Sequence, residues 1–376
     1  MFGTTLILIT TILHLYVFWR ISTLPFVKRH ISPVVFWIIT VLLWGGFYFC
    51  RIGSRSDSVE AAGIFEFLWM NWMAMLFLVF LPMFVLDLFT LFGLIFRRKS
   101  ATLRCLALLT GMALSAVALV QGLRPPVIEK YEVFLAGLPE EMDGTILAVL
   151  SDLHLGAQLG ESWLSERIDQ VLALDPDIIV LLGDILEGHG PPADGFVDRF
   201  MQMSAPLGVW AVTGNHEYHG RGNSDLFESA GFRLMRDEWV EVKPGFIMAG
   251  VDDLTSRIGR NNRVSTVSKT LEGRKSGATV FLSHTPWQAE AAANAGVGLM
   301  LSGHTHGGQI WPFDYLVQQQ YPLLEGRYSV KGMTVLVHRG TGTWGPRMRL
   351  WKPGVILQVV LRTESSNHAG KKKEGL

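Results

Sequence analysis

A chain of 376 residues is long enough for two or three domains. Its mean hydropathy of +0.29 is high for a soluble protein and turns attention to membrane segments. Lysine plus arginine and aspartate plus glutamate each number 33, so no net field or basic face offers a nucleic-acid interface, Lys371–Lys373 being only a short tail; the two cysteines, Cys50 and Cys105, exclude a disulfide framework and a thiolate metal site.

Four mostly apolar runs reach the roughly 20 residues that a bilayer requires. They are Phe2–Trp19, Pro33–Cys50, Phe67–Phe89 with an extension toward Phe96, and Leu103–Leu123. The first lacks the basic start and small-residue cleavage site of a signal peptide. The first loop carries Arg20, Lys28 and Arg29, and the third carries Arg97, Arg98, Lys99 and Arg104. The second mixes Arg51 and Arg55 with Asp57, Glu60 and Glu66. Positive charge favours the cytoplasmic side, so both termini and the chain after Leu123 are expected on the non-cytoplasmic face of the inner or plasma membrane. Residues 1–122 thus read as a multi-pass unit with the lipid bilayer as partner. Asp87 falls in the third run, where a carboxylate either serves a function or bonds a neighbouring helix.

Arg124-Pro125-Pro126 breaks the helical pattern and reads as a linker. Strands are expected over Val127–Leu135, Ile146–Leu150, Ile178–Leu182, Val209–Val212, Ile247–Val251, Val280–Leu282, Leu299–Leu301 and Val335–Val337. A helix is expected over Ser162–Leu174, with Ser162 or Ser165 as cap and Asp175-Pro176 as stop. Short continuous apolar runs suit strands covered on both faces, so residues 123–363 read as one layered α/β domain. Residues 364–376 read as a polar, disordered tail.

Polar residues cluster where apolar strands stop. Leu150 is followed by Ser151-Asp152-Leu153-His154, and Leu182 by Gly183-Asp184. Thr213 is followed by Gly214-Asn215-His216-Glu217, Leu282 by Ser283-His284, and Leu301 by Ser302-Gly303-His304-Thr305-His306. Ligands bind beyond the carboxyl ends of strands in α/β sheets. Carboxylate, amide oxygen and imidazole suit Mn, Fe or Zn. In a straight strand, Asp152 and His154, or His304 and His306, would share a face and reach one site. Glycines before Asp184, Asn215 and His304 would allow the sharp turn that aims each side chain.

This ordered set resembles the calcineurin-like metallophosphoesterase superfamily, and its membrane-tethered branch in particular, from near Val127 to Arg362. The resemblance implies a four-layer αββα sandwich preceded here by four transmembrane helices. It implies two divalent metal ions (Mn, Fe or Zn). Asp152, His154 and His306 would hold the first, Asn215, His284 and His304 the second, and Asp184 would bridge both. His216 would contact the phosphate and aid the leaving group without binding metal. Glu217 would orient His216 or bond backbone behind the site, and Glu187 fits a carboxylate common at its position. Two metals about 3.5 Å apart can clamp a phosphate and generate a bridging hydroxide that attacks phosphorus in line. After His284 the sequence departs: Trp287 stands where many relatives carry an acidic residue.

The implied activity is hydrolysis of a phosphoester or pyrophosphate, on a lipid-linked or amphiphilic phosphorylated substrate. A tether holds the domain near headgroups, and Trp287, Trp311, Phe313, Tyr315 and Trp344 follow the last ligand motifs. Trp287, His219 and Arg339 are candidate substrate contacts, with Arg347, Arg349 and His189 behind them. The alternatives are a broad exported phosphatase acting on soluble esters, and a membrane sensor or transporter with a vestigial phosphoesterase domain.

Overall fold

The computed structural model describes residues 2–54, 56, 58–187, 194–218, 225–256 and 263–364. It contains two compact units, Met1–Arg124 with Gly345–Trp351, and Pro125–Trp344 with Lys352–Leu376.

The first unit is helical: α1 (Phe2–Ser22), α2 (Pro25–His30), α3 (Pro33–Gly53), α4 (Val59–Phe89) and α5 (Ser100–Leu123). All but the short α2 are long and apolar enough to cross a membrane. The third begins at Val59 rather than Phe67, because Ser58 accepts a cap bond from Ala61 N and Glu60 lies in the first turn. Hydropathy is blind to that polar start. The expected extension to Phe96 does not form: α4 stops at Phe89, and Leu91 and Phe92 take left-handed φ of 46° and 55°. Asp87 is buried and accepts hydrogen bonds from Tyr16 Oη and Arg20 Nη2 on α1, so it joins two helices. Gly111 on α5 lies so close to the Val79 backbone of α4 that a Cβ there would collide with it, the small-residue contact that lets membrane helices pack tightly. Arg55 and Asp57 lie outside the described residues.

The second unit follows in chain order: β1 (Val127–Leu135), β2 (Ile146–Leu150), α6 (Glu161–Leu172), β3 (Ile178–Leu181), α7 (Asp194–Phe200), β4 (Val209–Ala211), α8 (Asp225–Ser229), β5 (Arg233–Leu234), β6 (Glu238–Lys243), β7 (Phe246–Gly250), α9 (Arg263–Thr270), β8 (Ala278–Leu282), α10 (Ala289–Asn294), β9 (Leu299–Ser302), α11 (Phe313–Gln320), β10 (Gly326–Val330), β11 (Met333–Val337) and β12 (Val355–Thr363). Two six-stranded sheets result, ordered β1-β12-β2-β3-β4-β5 and β10-β11-β9-β8-β7-β6. Strands β2 to β5 run parallel, as do β7, β8, β9 and β11.

Side-chain alternation sorts the layers. Val149, Val180 and Val212 meet Met248, Val280 and Leu301 between the sheets. The opposite face of the first sheet, with Leu150 and Leu181, packs on Leu164 and Ile168 of α6 and Phe200 of α7. The opposite face of the second, with Phe281 and Met300, packs on Val267 of α9 and Ala292 of α10. The architecture is therefore the expected αββα sandwich. Two expectations need correction. Helix α6 starts at Glu161 after Gly160, which offers no side-chain cap, so Ser162 and Ser165 lie inside the helix. It also ends at Leu172, before Asp175 turns left-handed at φ 48°. Strand β12 was not foreseen, yet it sits between β1 and β2, parallel to one and antiparallel to the other. Residues 365–376, most of the expected tail, lie outside the described residues.

Candidate metal centre

The parallel strands β2, β3, β4, β8 and β9 all end beside one another, and the polar residues that follow converge. Asp152, His154 and His306 place ligand atoms within 4.8 Å of one another, as do His154, Asp184 and His216, and Asp184, His284 and His304. Asp184 belongs to two of these groups. Its Oδ2 lies 3.3 Å from His284 Nε2 and 3.9 Å from His154 Nε2. Asp152 Oδ1 lies 3.3 Å from His306 Nε2.

The backbone differs from the expected straight strands. Asp152, His154, Asp184, His304 and His306 all have positive φ, between 49° and 71°. Neither the Asp152–His154 pair nor the His304–His306 pair is extended; each follows a strand in a left-handed turn. Such conformations cost non-glycine residues roughly 1–2 kcal/mol each, and they concentrate where surrounding bonds over-determine the chain. Those bonds are present. Asp152 N–H donates to Gly183 O at 3.0 Å and His154 N–H to Asp184 O at 3.0 Å. The Glu217 carboxylate accepts from the backbone N–H of Gly214 (2.6 Å), Asp184 (2.9 Å), Ile185 (2.8 Å) and Leu186 (3.4 Å). Glu217 thus bonds backbone behind the site. Gly183 takes φ 87°, as a sharp turn requires. Gly303 is needed for space instead, because a Cβ there would collide with Ser151 Oγ and Asp152 Oδ2.

Electrostatics bind the groups together. Burial pushes the Asp152 carboxyl up, but the imidazoles of His306, His284 and His154 hold it well below the usual range. Burial likewise opposes ionisation of Asp184, and His284, His216 and His154 override it. Burial disfavours charge on His154, yet Glu187, Asp184 and Asp152 raise it to about 9. His284 is raised by Asp184 and Asp152 against its own burial, with Asp253 adding to that field. His304 is lowered to about 4 by burial and by the neighbouring His284. Glu187, ion-paired to His154 Nδ1 at 2.9 Å, is lowered despite burial.

Two observations fit divalent cations. Asn215 Oδ1 is buried and accepts no hydrogen bond from the described residues. Imidazole nitrogens also face one another in pairs, His154 Nε2 with His306 Nε2 and His284 Nε2 with His304 Nδ1, each at 3.1 Å. Two nitrogens held by one ion at about 2.1 Å, roughly 90–110° apart, would lie about 3.0–3.4 Å from each other. His284 Nδ1 donates to Leu182 O at 2.6 Å, which leaves its Nε2 lone pair for the centre.

Of the remaining candidates, His216 borders the cluster. His216 Nδ1 donates to Glu187 O at 2.8 Å, and its ring lies 4.7 Å from His154 and 6.4 Å from Trp344. Trp287 stacks on Tyr321 at 5.5 Å. Arg339 donates to Glu129 at 2.6 Å and to Pro353 O at 2.7 Å. Trp311, Phe313 and Tyr315 are exposed at the start of α11. Arg347 and Arg349 cluster with the helical unit. His189 and His219 lie outside the described residues. Tyr321 and Asp253 escaped the sequence reading, because neither belongs to a spaced motif; only folding brings them to the histidines.

Residues 146–308 match the family described as calcineurin-like phosphoesterase. A transmembrane protein with metallophosphoesterase domain from Danio rerio is 32% identical over 271 residues, covering 68% of this chain and 62% of that protein. Its counterpart from Bos taurus is 31% identical over 288 residues, 70% of this chain and 64% of that one. The chain thus spans less than two thirds of the length of these relatives. An uncharacterized metallophosphoesterase from Aquifex aeolicus (strain VF5) is 34% identical over 249 residues, 62% of this chain and 91% of the relative. With the matched residues carrying the converging carboxylates and imidazoles, the chain belongs to the calcineurin-like phosphoesterase family, and four helices of membrane-spanning length precede those residues.

Proposed function

We propose that this enzyme is a membrane-anchored two-metal phosphoesterase that hydrolyses a phosphoester or pyrophosphate bond on a lipid-linked or amphiphilic substrate. One observation carries the two-metal reading: Asp184 is common to two ligand groups, with its Oδ2 3.3 Å from His284 and 3.9 Å from His154. Asp152, His154 and His306 would hold one ion, Asn215, His284 and His304 the other, and Asp184 both. When bound, such ions polarise a phosphoryl oxygen and lower the pKa of a water.

The chain's own residues would do the rest. His216 spends its Nδ1–H on the Glu187 carbonyl, so the proton it exchanges sits on Nε2. From there it would protonate the leaving oxygen as the bond to phosphorus breaks. Glu187 anchors both His154, through Nδ1, and His216, through its carbonyl, and so keeps their rings in fixed register. Exposed Trp344 beside His216 supports an apolar or amphiphilic leaving group. Division at 1–122, 123–363 and 364–376, with the enzyme domain on the non-cytoplasmic face, is part of this proposal, supported by the basic residues Lys28, Arg29, Arg97, Arg98 and Lys99 between the spans.

The test is hydrolysis of bis-p-nitrophenyl phosphate by the detergent-purified chain, stripped of metal and reloaded with Mn2+, Fe2+ or Zn2+. Turnover should require metal and fall at least ~100-fold in Asp184→Asn, since one substitution weakens both ion sites. Mixed micelles of a phospholipid should then compete with the soluble ester. Bound metal with no phospholipid competition would instead favour a phosphatase of soluble esters.

A further inference from the structure

We propose that Tyr321 is a positioning residue that decides which nitrogen of His304 faces the metal centre: its hydroxyl accepts the Nε2 proton, so Nδ1 presents its lone pair beside His284 and Asp184. The inference rests on the metal-centre reading and adds to it a residue outside every ligand motif.

The geometry is specific to one imidazole. Tyr321 Oη lies 2.8 Å from His304 Nε2, while His304 Nδ1 lies 3.1 Å from His284 Nε2. A neutral imidazole carries one N–H, and its two nitrogens cannot both offer lone pairs while one donates. If Nε2 holds the proton, Nδ1 can bind an ion. If the hydroxyl donated instead, Nδ1 would carry the proton and His304 could not be a ligand. His284 has the same logic solved differently: its Nδ1–H is spent on the Leu182 carbonyl, which cannot donate and so admits one tautomer. A tyrosine hydroxyl can act either way, so its own placement matters. Metal-bound histidines commonly depend on such a partner for ring orientation and tautomer.

The hydroxyl is held on a firm mount. Tyr321 N–H donates to Val317 O at 2.8 Å, closing the end of α11. Its ring stacks on Trp287 at 5.5 Å with an interplanar angle of 15°, and meets the His304 ring edge-on at 5.0 Å. The loop beyond is tied back to the histidine segment by Thr305 Oγ1, which donates to Leu324 O at 2.6 Å. Trp287 therefore acts one step further out: it seats the ring whose hydroxyl sets His304.

The experiment uses the full chain in detergent, stripped of metal and titrated with Co2+ by calorimetry and visible absorption. Wild type should take up two equivalents. Tyr321→Phe keeps the ring and its stack on Trp287 but removes the hydroxyl. Its first equivalent should bind as in wild type, and its second at least about 10-fold more weakly, with an altered absorption band for that equivalent alone. The melting midpoint of the metal-free protein should not change, which separates positioning from packing. In a His304→Ala background, adding Tyr321→Phe should cost nothing further. Two equivalents with wild-type affinities and spectra in Tyr321→Phe would overturn this inference alone, as would equal weakening of both together with a lower metal-free midpoint. A wild type that binds no metal would overturn it together with the reading beneath it.

Discussion

Replacing Glu217 by glutamine tests how the strained loops are held. Its carboxylate is buried and takes four backbone N–H groups: Gly214 and Asp184 on Oε2 at 2.6 and 2.9 Å, Ile185 and Leu186 on Oε1 at 2.8 and 3.4 Å. Glutamine has the same shape, but one oxygen becomes an NH2 group. Whichever side it occupies, a pair of N–H donors then faces a donor. Hydrogen bonds to a charged partner are each worth about 1.5–3 kcal/mol, so losing the weaker pair still costs about 3 kcal/mol once the donors are left buried. In a domain of this size each kcal/mol moves the midpoint about 2–4 °C, so Glu217→Gln should melt at least about 6 °C lower. Metal-free protein should show this by intrinsic fluorescence. Metal-loaded protein should also lose affinity, because Asp184 depends on this carboxylate for its backbone position. A midpoint within about 2 °C of wild type, with both metals retained, would refute the reasoning and return Glu217 to the role of orienting His216.

Metal removal should expose a pH optimum of stability. His154 is raised from 6.5 to about 9 in the folded state, so its contribution is complete below pH 6.5 and is lost as pH rises through 9. His304 is lowered from 6.5 to about 4, so its contribution is present above pH 6.5 and is lost as pH falls through 4. In chelator, the midpoint measured from pH 4 to 9 should therefore peak near 6.5, with reloading by metal lifting the alkaline limb. A metal-free protein that becomes steadily more stable toward pH 9 would contradict it. In the helical unit, Asp87→Asn leaves the buried Arg20 guanidinium without its counter-charge. Removing one member of a buried pair typically costs about 3–5 kcal/mol, so the variant should leave solution as aggregate at lower temperature in detergent. Monodisperse chromatography after heating, identical to wild type, would show that the pair is dispensable.

The parts of this fold that were legible share one property: their partners lie next to them in the chain or are simply apolar. Ile178–Leu181 and Ala278–Leu282 are buried at every residue, and a strand covered on both faces announces itself as an unbroken apolar run. Strands β6 and β10 alternate or carry charge and sit at sheet edges, where hydropathy fades into the loop background. Strand β12 failed for a different reason. Its position between β1 and β2 depends on pairing Val360 with Ile146, a choice made by the whole sheet and by no local pattern.

The centre divides along the same line. Asp152, Asp184, Asn215, His284 and His304 could be found because each follows a strand end, and a parallel sheet brings its strand ends together whatever lies between them. The left-handed backbone at Asp152, Asp184 and His304 could not be read, since aspartate and histidine do not advertise positive φ as glycine does. Their supports were legible only in part. Glu217 reads either as the partner of His216 or as a bond to backbone behind the site; it takes the second role, at the Asp184 loop, because β3 and β4 are paired and carry both loops to one edge. Tyr321 is the extreme case, since its hydroxyl finds His304 only after α11 and the β9 loop are both in place. Candidate ligands can be inferred from order along the chain, whereas the residues proposed to set their tautomer and angle are fixed by contact alone. A sequence with every ligand intact could therefore still lose one ion through a change at position 321.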